Sequence, residues 1–392
     1  MTVSAGTNPA QQAANNAGRR MRSFWNRVTE GMQLQQLWGQ FLSEAKAGYG
    51  LYSKEVDWDE IGREKSKFKR ILLSASALFQ ALLMKLSPAR RVVLLVAIVL
   101  LVVQPDYHTS GGEFSVPLGG LGAILLFLLL ALELADRVTM KRDLEIAREI
   151  QQWLVPDHPP HLSGLDIAFA TRPQNTVAGD YYDAFLRPLP HVGSRVLPLF
   201  AVVADVAGKS VPAALLMATF QASLRALTAT PATLDELVVG LDRYCRAHSL
   251  EGRRFTTAFL AEIDPQSRTM SYVNAGHNDP ILRRANGTIE RLSAGGPPLG
   301  LPLLSDGEVS YSSGHLQLNP GDLLFIFTDG VVEAVNDSGE EYGEKRLLPC
   351  IQASPPESAD EMLKRVMTEV NSFVGYARQH DDITCLVLRI SP

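Results

Sequence analysis

Apolar and polar positions alternate in distinct regimes along this chain. Between residues 24 and 45, Phe24, Trp25, Val28, Met32, Leu37, Trp38, Phe41 and Ala45 recur at helical spacing. That pattern predicts a helix that either lies on a membrane surface or packs against its neighbours. Residues 1–18 are rich in Ala, Asn and Gln and are expected to form a mobile tail. They hold no apolar core of the kind a cleavable signal peptide needs.

Two apolar runs follow, 92–103 and 117–132, the second free of charge and extendable to Ala135 if Glu133 sits at an interface. Both are shorter than the ~20 residues of a full membrane span. Their flanks nevertheless favour a membrane hairpin. Arg90 and Arg91 precede it and Arg137, Lys141 and Arg142 follow it, while the loop 104–116 carries Asp106 and Glu113 but no Lys or Arg. Basic residues at both outer ends place both on the cytoplasmic side. The alternative is a hairpin buried in a soluble domain. Residues 134–155 then read as a helix leaving the membrane, with Val138, Leu144, Ala147, Ile150 and Trp153 near heptad spacing, ending at Pro156.

Beyond Pro159-Pro160 the pattern becomes that of a globular domain. Strands are expected at 165–170 and 197–204, then a helix over 213–227 with Ser210 and Pro212 as its cap and first-turn residues. A second helix spans 234–248. Strands 257–263 and 269–274 are joined through Asp264-Pro265-Gln266, and a further hairpin turns at Asn286-Gly287. A buried strand at 322–328, a helix at 357–373 and a strand at 383–390 complete the order. Consecutive hairpins with helices gathered in pairs predict an α+β fold of antiparallel sheets, not a doubly wound parallel sheet.

Composition sharpens this picture in two places. Charged residues are 20% of the 392-residue chain, below the ~25% usual in soluble domains. Residues 1–91 hold 14 Lys and Arg against 7 Asp and Glu, while the remainder is acidic, 23 against 35. The basic residues are dispersed and form no nucleic-acid motif, so they read as charge flanking a membrane, with lipid and not nucleic acid as the partner. Cys245, Cys350 and Cys385 are too few for a disulfide framework or a zinc site, and none opens a Cys-x5-Arg loop.

The acidic half concentrates its chemistry in four short segments: Val177-Ala178-Gly179-Asp180-Tyr181-Tyr182-Asp183, Val203-Ala204-Asp205-Val206-Ala207-Gly208, Phe327-Thr328-Asp329-Gly330 and His380-Asp381-Asp382-Ile383-Thr384. Each reads as an apolar strand ending in Asp at a tight turn. One such Asp is usually a turn or cap residue. Four in one domain, if they converge, repel one another and demand cations. Oxygen-only ligands select Mg²⁺ or Mn²⁺ over zinc. Two such ions can activate a water and clamp a phosphoryl group, and a backbone carbonyl such as that of Val206 can add a ligand.

The same segments, together with 144–152, Asn274-Ala275-Gly276-His277-Asn278 and Pro297-Pro298-Leu299-Gly300, stand in an order that resembles the SpoIIE-like branch of the metal-dependent protein phosphatases (PPM) over about 141–392. The resemblance implies an αββα sandwich of two antiparallel sheets, with two Mn²⁺ or Mg²⁺ ions that hydrolyse phosphoserine or phosphothreonine on a protein. It implies Asp180, Asp205, Asp329 and Asp381 as metal ligands, with the Val206 carbonyl added and Asp381 taken over Asp382. Asp183 becomes a group behind the ligands, and the helix pair over 213–248 a regulatory and dimer-contacting element. The implied substrate is a phosphorylated STAS-type anti-sigma-factor antagonist, and a homodimer is expected through the linker helix. Three departures stand out: Ala178 where the family has Gly, Ser210 where it has Gly, and Asp279-Pro280 where Pro-Pro is common.

Other chemistries fit less well. Gly208-Lys209-Ser210 suggests a P-loop, but Val203 stands where that motif needs Gly. His277 is either an acid or a structural turn histidine, and Arg172 either a phosphate contact or a solvated strand end. A nucleotide cyclase would need a purine and triphosphate pattern that is missing. A binding scaffold that keeps the phosphatase fold without activity is the competing function, and the retained Asp quartet argues against it. The expected organisation is a cytoplasmic basic region at 1–91, a transmembrane hairpin at 92–135, a signalling helix at 136–156 and a phosphatase domain at 157–392. That makes a multi-pass protein of the bacterial inner membrane with its N-terminus and catalytic domain in the cytoplasm.

Overall fold

A computed structural model describes residues 66–103, 106–107, 116–188, 197–249, 254–293, 295–302, 309–353 and 358–391. The expected tail at 1–18 and helix at 24–45 lie outside the described residues, as does most of the loop 104–116. The chain divides into two units, Met1–Asp136 and Arg137–Pro392.

In the first unit, helix α1 (Lys67–Lys85) precedes α2 (Pro88–Val103), a two-residue pairing of β1 (Asp106–Tyr107) with β2 (Val116–Pro117), and the start of α3 (Leu118–Leu154). Gly122 of α3 packs against Ala97 of α2, a contact that any side chain at 122 would block. Arg90 pairs with Glu133 at 3.1 Å and Asp136 at 2.7 Å. Among the described residues α3 alone is long and apolar enough to cross a membrane. Helix α2 has 16 residues, about 24 Å at 1.5 Å per residue, short of a ~30 Å hydrocarbon layer. The two expected spans therefore reduce to one on length. No break separates the second apolar run from the linker either: α3 is a single helix of 37 residues.

In the second unit two five-stranded sheets face each other. The first runs in the order β10 (Gly314–Gln317), β7 (Thr269–Ala275), β6 (Thr256–Ile263), β5 (Leu199–Val206) and β4 (Asp180–Leu186). The second runs β3 (Leu165–Arg172), β12 (Ile383–Ile390), β11 (Leu323–Phe327), β8 (Ile281–Arg283) and β9 (Ile289–Arg291). Every neighbouring pair is antiparallel.

Because side chains alternate across a strand, each sheet serves two apolar layers. In β5, Leu199, Ala201 and Val203 enter the layer between the sheets. Phe200, Val202, Ala204 and Val206 point the other way, onto helices α4 (Ser210–Thr228) and α5 (Leu234–Ala247). In the second sheet, Leu324, Ile326, Leu386 and Leu388 face inward. Phe325, Phe327, Cys385 and Val387 meet α7 (Glu344–Gln352) and α8 (Ala359–Val374), after the short α6 (Asp329–Val332). The result is the expected αββα sandwich.

Local chemistry sets the helix ends. Thr233 and Glu236 form a capping box at the start of α5, and Ser358 accepts from the Glu361 N–H at the start of α8. Helix α4 departs from expectation: its cap position is Lys209, without a side-chain cap, and Ser210 lies in the first turn at φ +64°. Ser210 therefore occupies the left-handed region that favours glycine. Arg187, after β4, staples the α4–α5 connection to the sheet, donating to the carbonyls of Thr228 (3.0 Å), Thr230 (2.9 Å) and Ala232 (2.6 Å) and to both oxygens of Glu262.

Candidate metal centre

Two strands of the first sheet bring the first two carboxylates together. β4 and β5 pair so that Asp180 lies directly opposite Asp205. Residues two and four beyond Asp180, Tyr182 and Ala184, face the layer between the sheets, as do Val203 and Ala201 before Asp205. Both carboxylates therefore project into the mouth of the sandwich. Asp180 opens its strand instead of ending one, and Asp381-Asp382 likewise precede β12, which corrects the sequence-based reading of both segments. Asp183 has the opposite parity. It is fully buried on the helix side, accepting from the Tyr181 hydroxyl (2.6 Å) and Arg225 (2.7 Å). Its role is to tie α4 to β4, away from the carboxylate cluster.

The second sheet contributes from two adjacent strand ends. Phe327 of β11 pairs with Cys385 of β12, so Thr328-Asp329 leave one strand beside Asp381-Asp382 entering the other. The Thr328 hydroxyl donates to Asp180 Oδ2 (2.9 Å), while the Thr384 N–H donates to that hydroxyl (3.0 Å). One threonine thus joins the two sheets at the site. Gly330 is required there, because a Cβ would collide with the Asp382 carbonyl oxygen.

The adjacent Asp381 and Asp382 divide their tasks. Asp382 accepts from the N–H groups of Gln174 and Gly179, each at 2.6 Å, so both its oxygens hold backbone. The Asp381 side chain is 32% exposed, and Lys209 Nζ lies 3.0 Å from its Oδ2 while also donating to the His380 carbonyl. Asp381 is thus the member of the pair with an oxygen facing a cation. Gly179 in turn lets the Val206 carbonyl approach: a Cβ at 179 would sit 3.2 Å from that oxygen and 3.2 Å from Ala213 Cβ.

Electrostatics mark the cluster as incomplete without positive charge. Burial, then Asp205 and Asp382, hold Asp180 well above the usual carboxylate range. Burial followed by Asp329, Asp381 and Asp382 pushes Asp205 up to about 7. Asp329 is raised by burial and by Asp381, with the Gly330 N–H and Lys209 opposing. Glu333, which the sequence reading passed over, is raised by burial and then by Asp329. The signal for it was its place one turn after Asp329. Among the described residues no three acidic, His or Cys side chains are grouped closely enough to form a ready-made ion cage.

The donor set fits a hard divalent ion. It is all oxygen, Cys385 is buried with its thiol held far above its ordinary range, and His277 is driven down to about 4 by burial and stays neutral. His277 lies 3.1 Å from Thr257, the strand partner of Asp205, and its N–H is held by Asn274 (2.7 Å). That is the structural-turn alternative for this residue. Arg172 ends β3, where burial lowers its pKa.

Comparison with known proteins adds a family. Residues 198–391 match the family model described as Stage II sporulation protein E (SpoIIE). Protein IcfG of Synechocystis is 28% identical over 286 residues, 66% of this chain and 43% of its own, so this chain spans less than half of that relative. Phosphoserine phosphatase RsbU of Bacillus subtilis is 28% identical over 252 residues, covering 64% of this chain and 70% of RsbU. Among solved structures, the SiaA-PP2C domain of Pseudomonas aeruginosa superposes with a TM-score of 0.56 at 20% identity, over 65% of this chain and 98% of that domain. That likeness shows the fold.

Proposed function

From the match of residues 198–391 to the Stage II sporulation protein E family we propose that the chain is a membrane-attached serine/threonine phosphoprotein phosphatase of the SpoIIE-type PP2C branch, dependent on two Mn²⁺ or Mg²⁺ ions. One observation carries the reading: Asp180 and Asp205 face each other across β4 and β5 at the same mouth that receives Asp329 and Asp381 from the opposite sheet. Asp180, Asp205, Asp329, Asp381 and the Val206 carbonyl would hold the ions. Bound there, divalent ions supply an acidified water and neutralise phosphoryl charge.

The chain's own residues prepare that chemistry. Thr328 orients Asp180, Asp382 fixes the loop before it, and Lys209 neutralises Asp381. Among the described residues no buried Ser-His-Asp or Cys-His system competes as a nucleophile, and burial raises the pKa of all three cysteines. We take the substrate to be a phosphoserine or phosphothreonine on a protein, a STAS-type anti-sigma-factor antagonist by analogy with RsbU. The apolar half of α3 anchors the chain in the bacterial inner membrane with the catalytic unit cytoplasmic. The Gly122–Ala97 packing and the Arg90 ion pairs hold α2 against this part of α3. Exposed Ile146, Ile150 and Trp153 on α3 support a homodimer through that helix.

The test is phosphate release from a phosphoserine peptide by the full chain in detergent, with and without Mn²⁺. Release that requires Mn²⁺ and vanishes in Asp180→Ala/Asp329→Ala is the expected result. A chain that binds its partner but releases no phosphate at any Mn²⁺ concentration is a scaffold.

A further inference from the structure

The loop that carries Asp180 is gripped from three directions. Asp382, at the entrance to β12, accepts from the Gly179 N–H at 2.6 Å. The end of β5 and the start of α4 close on Gly179 through the Val206 carbonyl and the Ala213 methyl. The third grip comes from outside the sandwich. Gln151, in the last turn of α3, donates from Nε2 to the Ala178 carbonyl (2.8 Å) and accepts from the Ala178 N–H at Oε1 (2.9 Å). A primary amide thus holds both main-chain groups of one residue, as a neighbouring strand would.

Its setting makes this contact more than ordinary packing. A cleft of about 620 Å³ lies between the end of α3 and the sandwich, lined by Arg148, Gln151, Trp153, Phe169, Ala178 and Asp180. Gln151 bridges that cleft. Just past the end of the helix, Val155 packs against the apolar layers on both faces of the first sheet, which seats the last turn of α3 on the domain. Ile150 and Trp153 are exposed. Ala178 is only two residues before Asp180, too short a tether to absorb movement of its peptide.

We infer that Gln151 is a positioning residue for the metal centre: it holds Asp180 in place, so that displacement of the last turn of α3 is read as loss of an ion ligand. This rests on the reading of Asp180 as a ligand. It assigns α3 a control over the site that acts through one side chain.

The experiment is Mn²⁺ binding to the full chain by calorimetry, with Gln151→Ala, Gln151→Glu and the exposed neighbour Gln152→Ala, and hydrogen exchange of the 177–180 segment alongside. Gln151→Glu keeps the volume but sets a carboxylate against the Ala178 carbonyl. Both Gln151 variants should weaken Mn²⁺ binding about 10-fold or more, the range seen for groups that orient metal ligands, with kcat at saturating Mn²⁺ within about threefold of the parent. Exchange at Ala178 should accelerate without a change in Tm, and Gln152→Ala should match the parent. Gln151 variants that bind Mn²⁺ like the parent overturn the inference. A parent chain that takes up no Mn²⁺ overturns the metal reading itself, and faster exchange at Ala178 would then still report the clamp.

Discussion

Arg187 and Glu262 form an ion pair that is 95% removed from solvent, each side chain being 5% exposed, with Arg187 Nη1 3.2 Å from both carboxylate oxygens. Its other nitrogens hold the carbonyls at the end of α4 and the turn beyond, where positive charge also favours the helix dipole. Removing one partner strands the other's charge in the interior. Arg187→Met should therefore destabilise the domain by about 3–5 kcal/mol, read as a lower urea midpoint. Arg187→Met/Glu262→Met should recover much of that loss; an Arg187→Met chain as stable as the parent would mean the pair is solvated.

Asp329 sits where β11 meets the short α6, its carboxylate opposed by Asp381 and eased by the Gly330 N–H. Asp329→Asn keeps the shape and removes one negative charge from the carboxylate cluster. Phosphate release should fall by about 100-fold or more, since each ion contributes several kcal/mol of charge stabilisation, while the circular dichroism spectrum and Tm in EDTA stay those of the parent. Undiminished turnover would show that Asp329 is not a ligand.

Asp205, raised to about 7 by burial and its acidic neighbours, carries a proton in the ion-free chain below that pH. Ion binding must displace it. Mn²⁺ affinity should thus rise by about tenfold or more from pH 6 to pH 8, because Asp205, and Asp180 whose carboxyl is likewise held up, must give up their protons as ions bind. Titration calorimetry at three pH values checks this; a flat dependence would place Asp205 among ordinary surface carboxylates.

Ser210 holds φ +64°, a region that costs a side-chain-bearing residue about 1–2 kcal/mol. Ser210→Gly relieves that strain, offset by the greater freedom of glycine in the unfolded chain. A net gain of about 0.5–1 kcal/mol is expected, seen as a higher Tm, with Ser210→Ala giving none. A glycine variant no more stable than the parent would put the helix start in another conformation.

Much of the architecture was legible because hairpin chemistry is local. The turn at Asn286-Gly287 does join β8 to β9, with Gly287 at φ +87°, and β12 occupies 383–390 as read. The errors have physical causes. β4 is buried on both faces, so no alternation betrays where it begins, and Asp180 reads as an end when it is a start. Asp183 differs from Asp180 by an odd number of residues, which sends it to the opposite face. The choice between Asp381 and Asp382 rests on the Gln174 and Gly179 N–H groups, brought close only by folding. Gln151 is more than twenty residues from the loop it holds, and no local pattern announces such a contact.

The centre draws two carboxylates from each sheet: Asp180 and Asp205 from one, Asp329 and Asp381 from the strand ends of the other. An ion held by all of them would be a clasp across the open rim of the sandwich. Unfolding by separation of the sheets would then have to release it first. By mass action an ion at 100 times its Kd adds about 2.7 kcal/mol to the folded state, so the loaded chain should survive protease and heat that cut the bare one. Breathing of the two sheets and release of the ion become a single event, and the durability of the fold reports how well the site is filled.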